Sequence, residues 1–103
     1  MTQEIHSFQL VRNINFQKGD KLSKGELVIG GITWDEKDDV WGCKARISFL
    51  HEEFVTTYGV DAIHALMLSF RFISGLIAGA EDDGIEIWWL EPGDHCGLVF
   101  GNN

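Results

Sequence analysis

Apolar and polar residues alternate along three stretches in the first half of the chain, which predicts β-strands. These stretches are 4–12, 26–34 and 40–51. A period of two residues sends successive side chains to opposite faces of a sheet. The apolar face of the longest stretch carries Trp41, Cys43, Ala45, Ile47 and Phe49. This pattern is typical of an antiparallel sheet that has one face on the core and the other in water.

The segment 13–25 between the first two stretches is polar, and we interpret it as a solvated connection from which Ile14 and Phe16 reach the core. It holds the chain's one basic cluster, formed by Lys18, Lys21 and Lys24. The Gly30-Gly31 pair in the second stretch predicts a β-bulge or a close approach of the helix backbone.

The run from Val60 to Ala80 is apolar around most of its circumference, which predicts one long helix over about residues 61–79. Its broadest apolar face is formed by Ile63, Leu66, Met67, Phe70, Ile73 and Ile77. The narrow polar stripe is formed by His64, Arg71, Ser74, Gly75 and Ala78. We expect this helix to be mostly buried, with Asp61 as its N-cap and Gly79 as the left-handed residue that ends it.

A membrane span is the alternative for this helix, because its length is close to the roughly 20 residues that a bilayer requires. His64 and Arg71 lie inside the run, and an Arg at mid-span costs about 2.5–3.5 kcal/mol even on the insertion scale that penalises charge least. No basic flank marks a cytoplasmic side. We therefore expect a buried helix of a soluble domain and no interaction with a membrane.

After the helix, two short strands are predicted at 85–90 and 96–100. Between them lies Glu91-Pro92-Gly93-Asp94, in which Pro and Gly suit the two central positions of a type II turn. Strands therefore precede and follow a single helix without β-α-β alternation. The sequence predicts the α+β class, with one domain over residues 1–103 in which an antiparallel sheet packs on one long central helix.

Charge is spread unevenly along a chain whose net charge is −8. From Phe72 to the last residue there is no Lys or Arg, against six Asp and Glu residues. Such a surface repels nucleic-acid phosphates and anionic lipids and attracts cationic partners. We therefore predict a protein partner and no nucleic-acid partner. The N-terminal residues lack the basic and apolar regions of a secretory signal, which favours a cytoplasmic protein.

Residue types that bind metals or act as nucleophiles are scattered along the chain. They are His6, His51, His64, His95, Cys43 and Cys96, and no pair of them has the spacing of metal ligands. The two cysteines are interpreted as reduced thiols of the core. We predict no metal, no cofactor and no catalytic residue. The enzymatic alternative is a pocket between helix and sheet that uses His51, His64 or Cys96.

Tryptophans among carboxylates are the most informative surface feature. One pair brackets the acidic loop 35–39, and the other lies in the acidic last third of the chain. Exposed aromatic residues ringed by charge resemble the anchors and steering charges of protein interfaces. The alternative is that all four tryptophans pack in the core. The predicted partner-binding residues are Trp34, Asp35, Glu36, Asp38, Asp39, Trp41, Glu86, Trp88, Glu91 and Asp94.

The segment Gly59-Val60-Asp61-Ala62-Ile63-His64-Ala65-Leu66 resembles the helix start of a group of small uncharacterised bacterial proteins. In that group a β-rich front leads through Gly-aliphatic-Asp into a helix with an Ala-Leu step, and a short tryptophan-bearing strand follows. The likeness spans roughly residues 40–90 and implies an α+β fold without an activity. His64 stands where the group more often has Gln, so the resemblance implies no side-chain role.

In size, acidity and lack of catalytic motifs the chain is also similar to the immunity proteins of bacterial toxin systems, although it shares no motif with them. This similarity implies a protein that neutralises a basic, nuclease-like toxin domain by occluding its active site. Two alternatives stay open. One is a small ligand-binding domain or enzyme with a pocket between helix and sheet, and the other is a structural homo-oligomer such as a homodimer.

Overall fold

The computed structural model describes the backbone of residues 2–98 and the side chains of residues 8–98. Its elements are β1 (Thr2–Lys18), β2 (Lys21–Asp35), β3 (Val40–Ile47), β4 (His51–Gly59), α1 (Ala62–Asp82), β5 (Ile85–Trp88) and a 3₁₀ turn (His95–Gly97). The five strands form one antiparallel sheet in the order β4-β3-β2-β1-β5, and α1 packs against it. The predicted α+β class is therefore confirmed.

β1 and β2 form one long hairpin that turns at Gly19-Asp20, so the segment 13–25 is strand and not a solvated connection. Asn13, Asn15, Gln17 and Lys24 occupy the face of this segment opposite the core and hide the alternation in the sequence. The core face is as predicted, since Ile14 and Phe16 are buried. β5 lies beside the turn end of β1, where it pairs with residues 15–18.

The register of the sheet shifts at Gly30-Gly31, as the glycine pair predicts. Where β2 pairs with β3, the shift lies between Gly30 and Ile32, and Gly31 has a φ of 77° that suits glycine. The group that approaches Gly30 is a side chain of the sheet and not the helix backbone. A Cβ at Gly30 would lie 3.2 Å from the ring of Phe54.

The alternating stretch 40–51 is two strands joined by a turn, and not one strand. β3 ends at Ile47, the turn covers 48–50, and β4 occupies the segment before the helix. Alternation continues through the turn, so the pattern could not reveal it. The other four residues of the predicted core face contact the core, but Phe49 is exposed and has a φ of 69°. The Glu52 carboxylate stabilises the turn by accepting a hydrogen bond from the Phe49 N–H at 2.7 Å.

Asp61 is the N-cap of α1, as predicted, and its carboxylate accepts a hydrogen bond from the His64 N–H at 2.7 Å. The predicted C-terminal end is wrong, because Gly79 lies inside the helix. The left-handed position after the helix is taken by Gly84, with a φ of 87°. The residues between the two glycines tolerate helical geometry, so the helix continues to the second one.

α1 packs with one side on β3, β4 and β5. Its buried stripe is Ala65, Ser69, Ile73, Ile77 and Ala80. The predicted apolar face is only partly right, because Ile63 and Met67 are exposed, and the helix is not mostly buried. Apolar residues occur on nearly all sides, so periodicity alone could not identify the side that packs. By length and composition the helix could also cross a membrane, a property that core helices of soluble proteins share.

The turn after β5 has the predicted type II features: Gly93 has a φ of 91°, and the Asp94 N–H donates to the Glu91 carbonyl at 3.2 Å. The strand predicted at 96–100 is wrong where it can be compared, because Cys96 lies in the 3₁₀ turn with a φ of 60°. Val99 and Phe100 lie outside the described residues. Arg12 fastens this segment to β1, since its guanidinium donates to the Cys96 carbonyl at 2.9 Å.

Candidate functional site

The predicted partner-binding residues lie at two distant ends of the sheet. Trp34 pairs with residue 3 of β1, whereas Glu86 pairs with residue 17. The fourteen residues that separate these two positions span roughly 45 Å at about 3.3 Å per residue along a strand. A standard interface buries about 800 Å² on each partner, a patch on the order of 30 Å across. One partner of ordinary size therefore contacts only one of the two ends.

The first end is the hairpin from Trp34 to Trp41, which we call the tryptophan hairpin. Its two tryptophans are register partners on β2 and β3, with ring centroids 6.4 Å apart. The indole N–H of Trp34 donates to the Asp39 carboxylate at 3.3 Å, and Trp41 packs against the core. Both rings are half-buried, as are the two other tryptophans, so none of the four is fully enclosed. The pair offers a fixed apolar surface that solvent reaches.

The turn of the tryptophan hairpin carries four carboxylates and one Lys. Asp35 fixes its backbone, because one carboxylate oxygen accepts from the Lys37 N–H at 3.0 Å and from the Asp38 N–H at 3.4 Å. The side chains of Glu36 and Asp38 are exposed and form no ion pair within residues 8–98. Their charges are therefore available to a partner.

Two apolar residues that the sequence did not assign to a surface lie close to this hairpin. Trp41 pairs with Gly59 at the end of β4, and the chain continues from there into the first turn of α1. Val60 is 81% exposed and Ile63 is 69% exposed. The only indication of this exposure in the sequence is the N-cap Asp61, which places Val60 and Ile63 at the N-terminal end of the helix. Together they extend the apolar surface beside the acidic turn.

The second end holds Glu86, Trp88, Glu91 and Asp94, and Asp94 has a structural role there. Its carboxylate accepts hydrogen bonds from the backbone N–H groups of Trp89, Leu90, Glu91 and Cys96. Burial raises the pKa of this carboxyl, but the four N–H groups outweigh that effect and hold the pKa below its ordinary value. Glu86 and Glu91 are exposed and Trp88 is half-buried. This end therefore offers a partner fewer groups than the sequence predicts.

The residues of the enzymatic alternative lie apart from one another. His51 packs edge-on against Phe72 at a centroid distance of 5.8 Å, and His64 accepts a hydrogen bond from the Val60 N–H at 3.1 Å in the exposed first turn of α1. Cys96 is buried, and desolvation raises the pKa of its thiol to about 12. Burial also raises the pKa of Cys43. Both thiols are therefore neutral near pH 7, whereas nucleophilic attack requires a thiolate.

Metal ligands and pockets give no further support to that alternative. Among the described residues, no three His, Cys, Asp or Glu side chains are grouped so that they could hold a metal ion. Clefts of about 140, 210 and 410 Å³ open on the surface. None of these three clefts is lined by His51, His64 or Cys96.

Comparison with known proteins places most of the described chain in one family. A domain of unknown function, DUF6968, matches residues 13–100 of the chain. No curated protein and no solved structure matches. The matched range contains most of the long hairpin, the tryptophan hairpin, α1 and β5. The chain therefore belongs to the DUF6968 family of domains.

Proposed function

We propose that this protein is a binding protein of the immunity type, which neutralises a cationic, nuclease-like toxin domain by covering its active site. The observation that carries the proposal is the tryptophan hairpin. It combines two neighbouring, half-buried tryptophans with Glu36 and Asp38, whose carboxylates form no ion pair in the described part of the chain. An apolar anchor beside unpaired charge of one sign suits a partner of the opposite charge.

The charge of the whole chain supports the same partner class. The net charge is −8, and within residues 8–98 only Glu26 and Glu81 form ion pairs, with Arg46 and His95. Most carboxylates therefore contribute to the field that a partner meets during diffusion. Steering of this kind raises association rates by roughly 10- to 1,000-fold, and the gain decreases as salt is added.

Inhibition by occlusion requires a preorganised surface and no catalytic group. Trp34 and Trp41 contact apolar groups of the partner, while Glu36 and Asp38 pair with the Lys and Arg residues that a nuclease uses to bind phosphates. The hydrogen bonds of Asp35 and Asp39 already fix the turn in the free protein. Less conformational entropy is therefore lost when the partner binds.

The test begins with a pull-down of bacterial proteins on the immobilised protein at low salt, eluted with a salt gradient. Binding kinetics are then measured with the purified basic partner and two matched variants. Glu36→Gln/Asp38→Asn removes two carboxylates from the tryptophan hairpin, and Glu86→Gln/Glu91→Gln removes two from the other end of the sheet. Each pair of substitutions changes the net charge from −8 to −6, so the comparison isolates position from total charge.

We expect the first variant to lower the association rate constant about tenfold at low salt and to weaken inhibition of the partner's activity. The second variant should change the rate constant by less than about twofold, because its charges lie farther from the interface than the Debye length, which is roughly 30 Å at 0.01 M salt. A partner that binds both variants as fast as the wild type would refute the proposal. Equal losses in the two variants would exclude the tryptophan hairpin as the binding surface.

A structural homo-oligomer is the second candidate, and the exposed flank of α1 favours it. Met67 is 46% exposed and lies one turn from the still more exposed Ile63. Replacement by Gln at both positions (Ile63→Gln/Met67→Gln) should convert an oligomer into a monomer, as measured by light scattering after size exclusion. A wild-type protein that stays monomeric at all accessible concentrations would remove this candidate.

A further inference from the structure

Lys18 and Lys21 face each other as register partners across the β1–β2 turn. Partners in an antiparallel pair point to the same side of the sheet, so both lysines leave the hairpin on one face. No carboxylate forms an ion pair with either Lys among residues 8–98, although Asp20 is in the turn between them. Like charges directly opposite each other destabilise a sheet. A local conflict of this kind in a folded domain is expected at a functional or strained position.

An apolar cleft of about 210 Å³ opens beside the two lysines. Besides the lysines, its lining includes Phe16, Phe49, Leu50 and Ile85, which belong to β1, the β3–β4 turn and β5. Phe16 is buried and forms the floor, while the exposed ring of Phe49 meets it edge-on at a centroid distance of 4.8 Å. Apolar walls and two cations therefore meet in one concave site.

The backbone of Phe49 supplies an independent observation. Its φ of 69° is rare for a bulky residue and strains the turn. Because 58% of the residue is exposed, its partial burial contributes little stabilisation to offset this strain. The hydrogen bond from its N–H to the Glu52 carboxylate holds it in this conformation. The strained turn keeps an aromatic ring at the mouth of the cleft.

We propose that this cleft binds a small anionic amphiphile, namely an aryl or short acyl carboxylate. Its acid group lies between the ammonium groups of Lys18 and Lys21, and its apolar part lies on the wall formed by Phe16, Phe49 and Ile85. An apolar cavity of about 150 Å³ holds a benzene ring, so the cleft has room for a ring with a short side chain. Lys18 and Lys21 are the charged residues that line the cleft, so the cleft itself favours an anion although the chain as a whole is acidic.

This site goes beyond the proposed function and does not depend on it. The cleft lies at the turn end of the β1–β2 hairpin, and the tryptophan hairpin lies at the opposite end. A ligand in the cleft would relieve the repulsion between Lys18 and Lys21 and would tie the turn of the long hairpin to the β3–β4 turn.

The experiment is an NMR titration of the full chain with three ligands that share one apolar group. They are 3-phenylpropanoate, 3-phenylpropanol and 3-phenylpropylamine, which carry a negative charge, no charge and a positive charge. We expect the acid to bind about tenfold more tightly than the alcohol, and the amine to bind more weakly than both. The amide shifts should centre on the turn end of the hairpin and on Phe49, Leu50 and Ile85.

Two double variants with equal charge separate the lysine pair from the general field. Lys18→Gln/Lys21→Gln should weaken binding of the acid about tenfold and leave the alcohol unchanged. The control Lys24→Gln/Lys37→Gln should leave both affinities unchanged, since Lys24 bonds to Asn15 on the other face and Lys37 lies in the tryptophan hairpin. Phe49→Gly should weaken the acid and the alcohol alike.

Equal affinity for acid and alcohol would overturn the proposal, as would equal losses in the two double variants. Shifts centred on Leu10 and Phe70 would overturn it too, because they would place the ligand in the other apolar cleft. Thermal unfolding of each variant shows whether it is folded. The lysines and Phe49 are exposed, and none of them belongs to the buried core cluster.

Discussion

Phe49 shows how one residue can hold a backbone conformation that its side chain disfavours. Phe49→Ala and Phe49→Gly both remove the ring that contacts Phe16, but only glycine adopts the φ of 69° without strain. A left-handed conformation costs an L-residue roughly 1–2 kcal/mol. We therefore expect the Gly variant to be more stable than the Ala variant by about 1 kcal/mol in urea unfolding. The usual order, with Ala more stable, would mean that the turn relaxes once the ring is gone.

Asp94 ties the turn after β5 together, and its effect on stability depends on pH. Its pKa in the folded protein lies below the ordinary value of 3.8, because its backbone hydrogen bonds outweigh the effect of burial. The stabilisation is therefore complete above that value and is lost as the pH falls through the lower, folded pKa. We expect Asp94→Asn to be less stable than the wild type at pH 7, with a difference that shrinks below about pH 4. Urea unfolding from pH 7 to pH 2 measures it, and a constant difference would contradict this account.

The C-terminal end of α1 can be tested with two glycines that the sequence does not distinguish. Gly79 lies inside the helix with open space around its Cα, whereas Gly84 has a φ of 87°. Gly79→Ala should stabilise the protein by about 1 kcal/mol, and Gly84→Ala should destabilise it by a similar amount. Chemical denaturation measures both changes. If Gly79→Ala destabilised the protein and Gly84→Ala stabilised it, the helix would end at Gly79 instead.

The sequence predicted whether a segment is strand or helix more accurately than it predicted where the segment begins and ends. Alternation and the Asp61 cap gave the strands and the start of the helix, because both are local properties of the chain. The turn at 48–50 was missed since Phe49 continues the apolar alternation while its φ reverses the chain. The packing side of α1 was only partly predicted, because small residues, Ala65 and Ser69, are buried and a larger one, Ile63, is not. The side of α1 that packs is set by how closely the helix approaches β3 and β4, and the residue pattern of the helix alone does not contain that information.

At the scale of the molecule, the 49 Å long axis separates groups that the sequence combined into one surface. Trp34 and Trp41 could be placed together in advance, because a short turn joins them. Glu86 and Glu91 could not be placed relative to that hairpin, since their position depends on which end of β1 pairs with β5. The sequence showed Lys18 and Lys21 as part of a basic cluster. Only the strand register shows that the two residues lie opposite each other across the turn.

The outer side of β1 should be less protected from hydrogen exchange than β2 in the middle of the sheet. β2 has strands on both sides, whereas within residues 2–98 the outer side of β1 is paired with β5 only at 15–18. An outward amide of β1 outside this range has no strand partner within residues 2–98, so it exchanges without global unfolding. We expect the outward amides between Gln9 and Asn13 to exchange roughly 100-fold faster than those between Leu27 and Ile29 in dilute protein. Hydrogen exchange measured at two protein concentrations tests this. Equal protection of the two sets at low concentration would show that the edge is covered within the chain, and protection that rises with concentration would show that a second copy covers it.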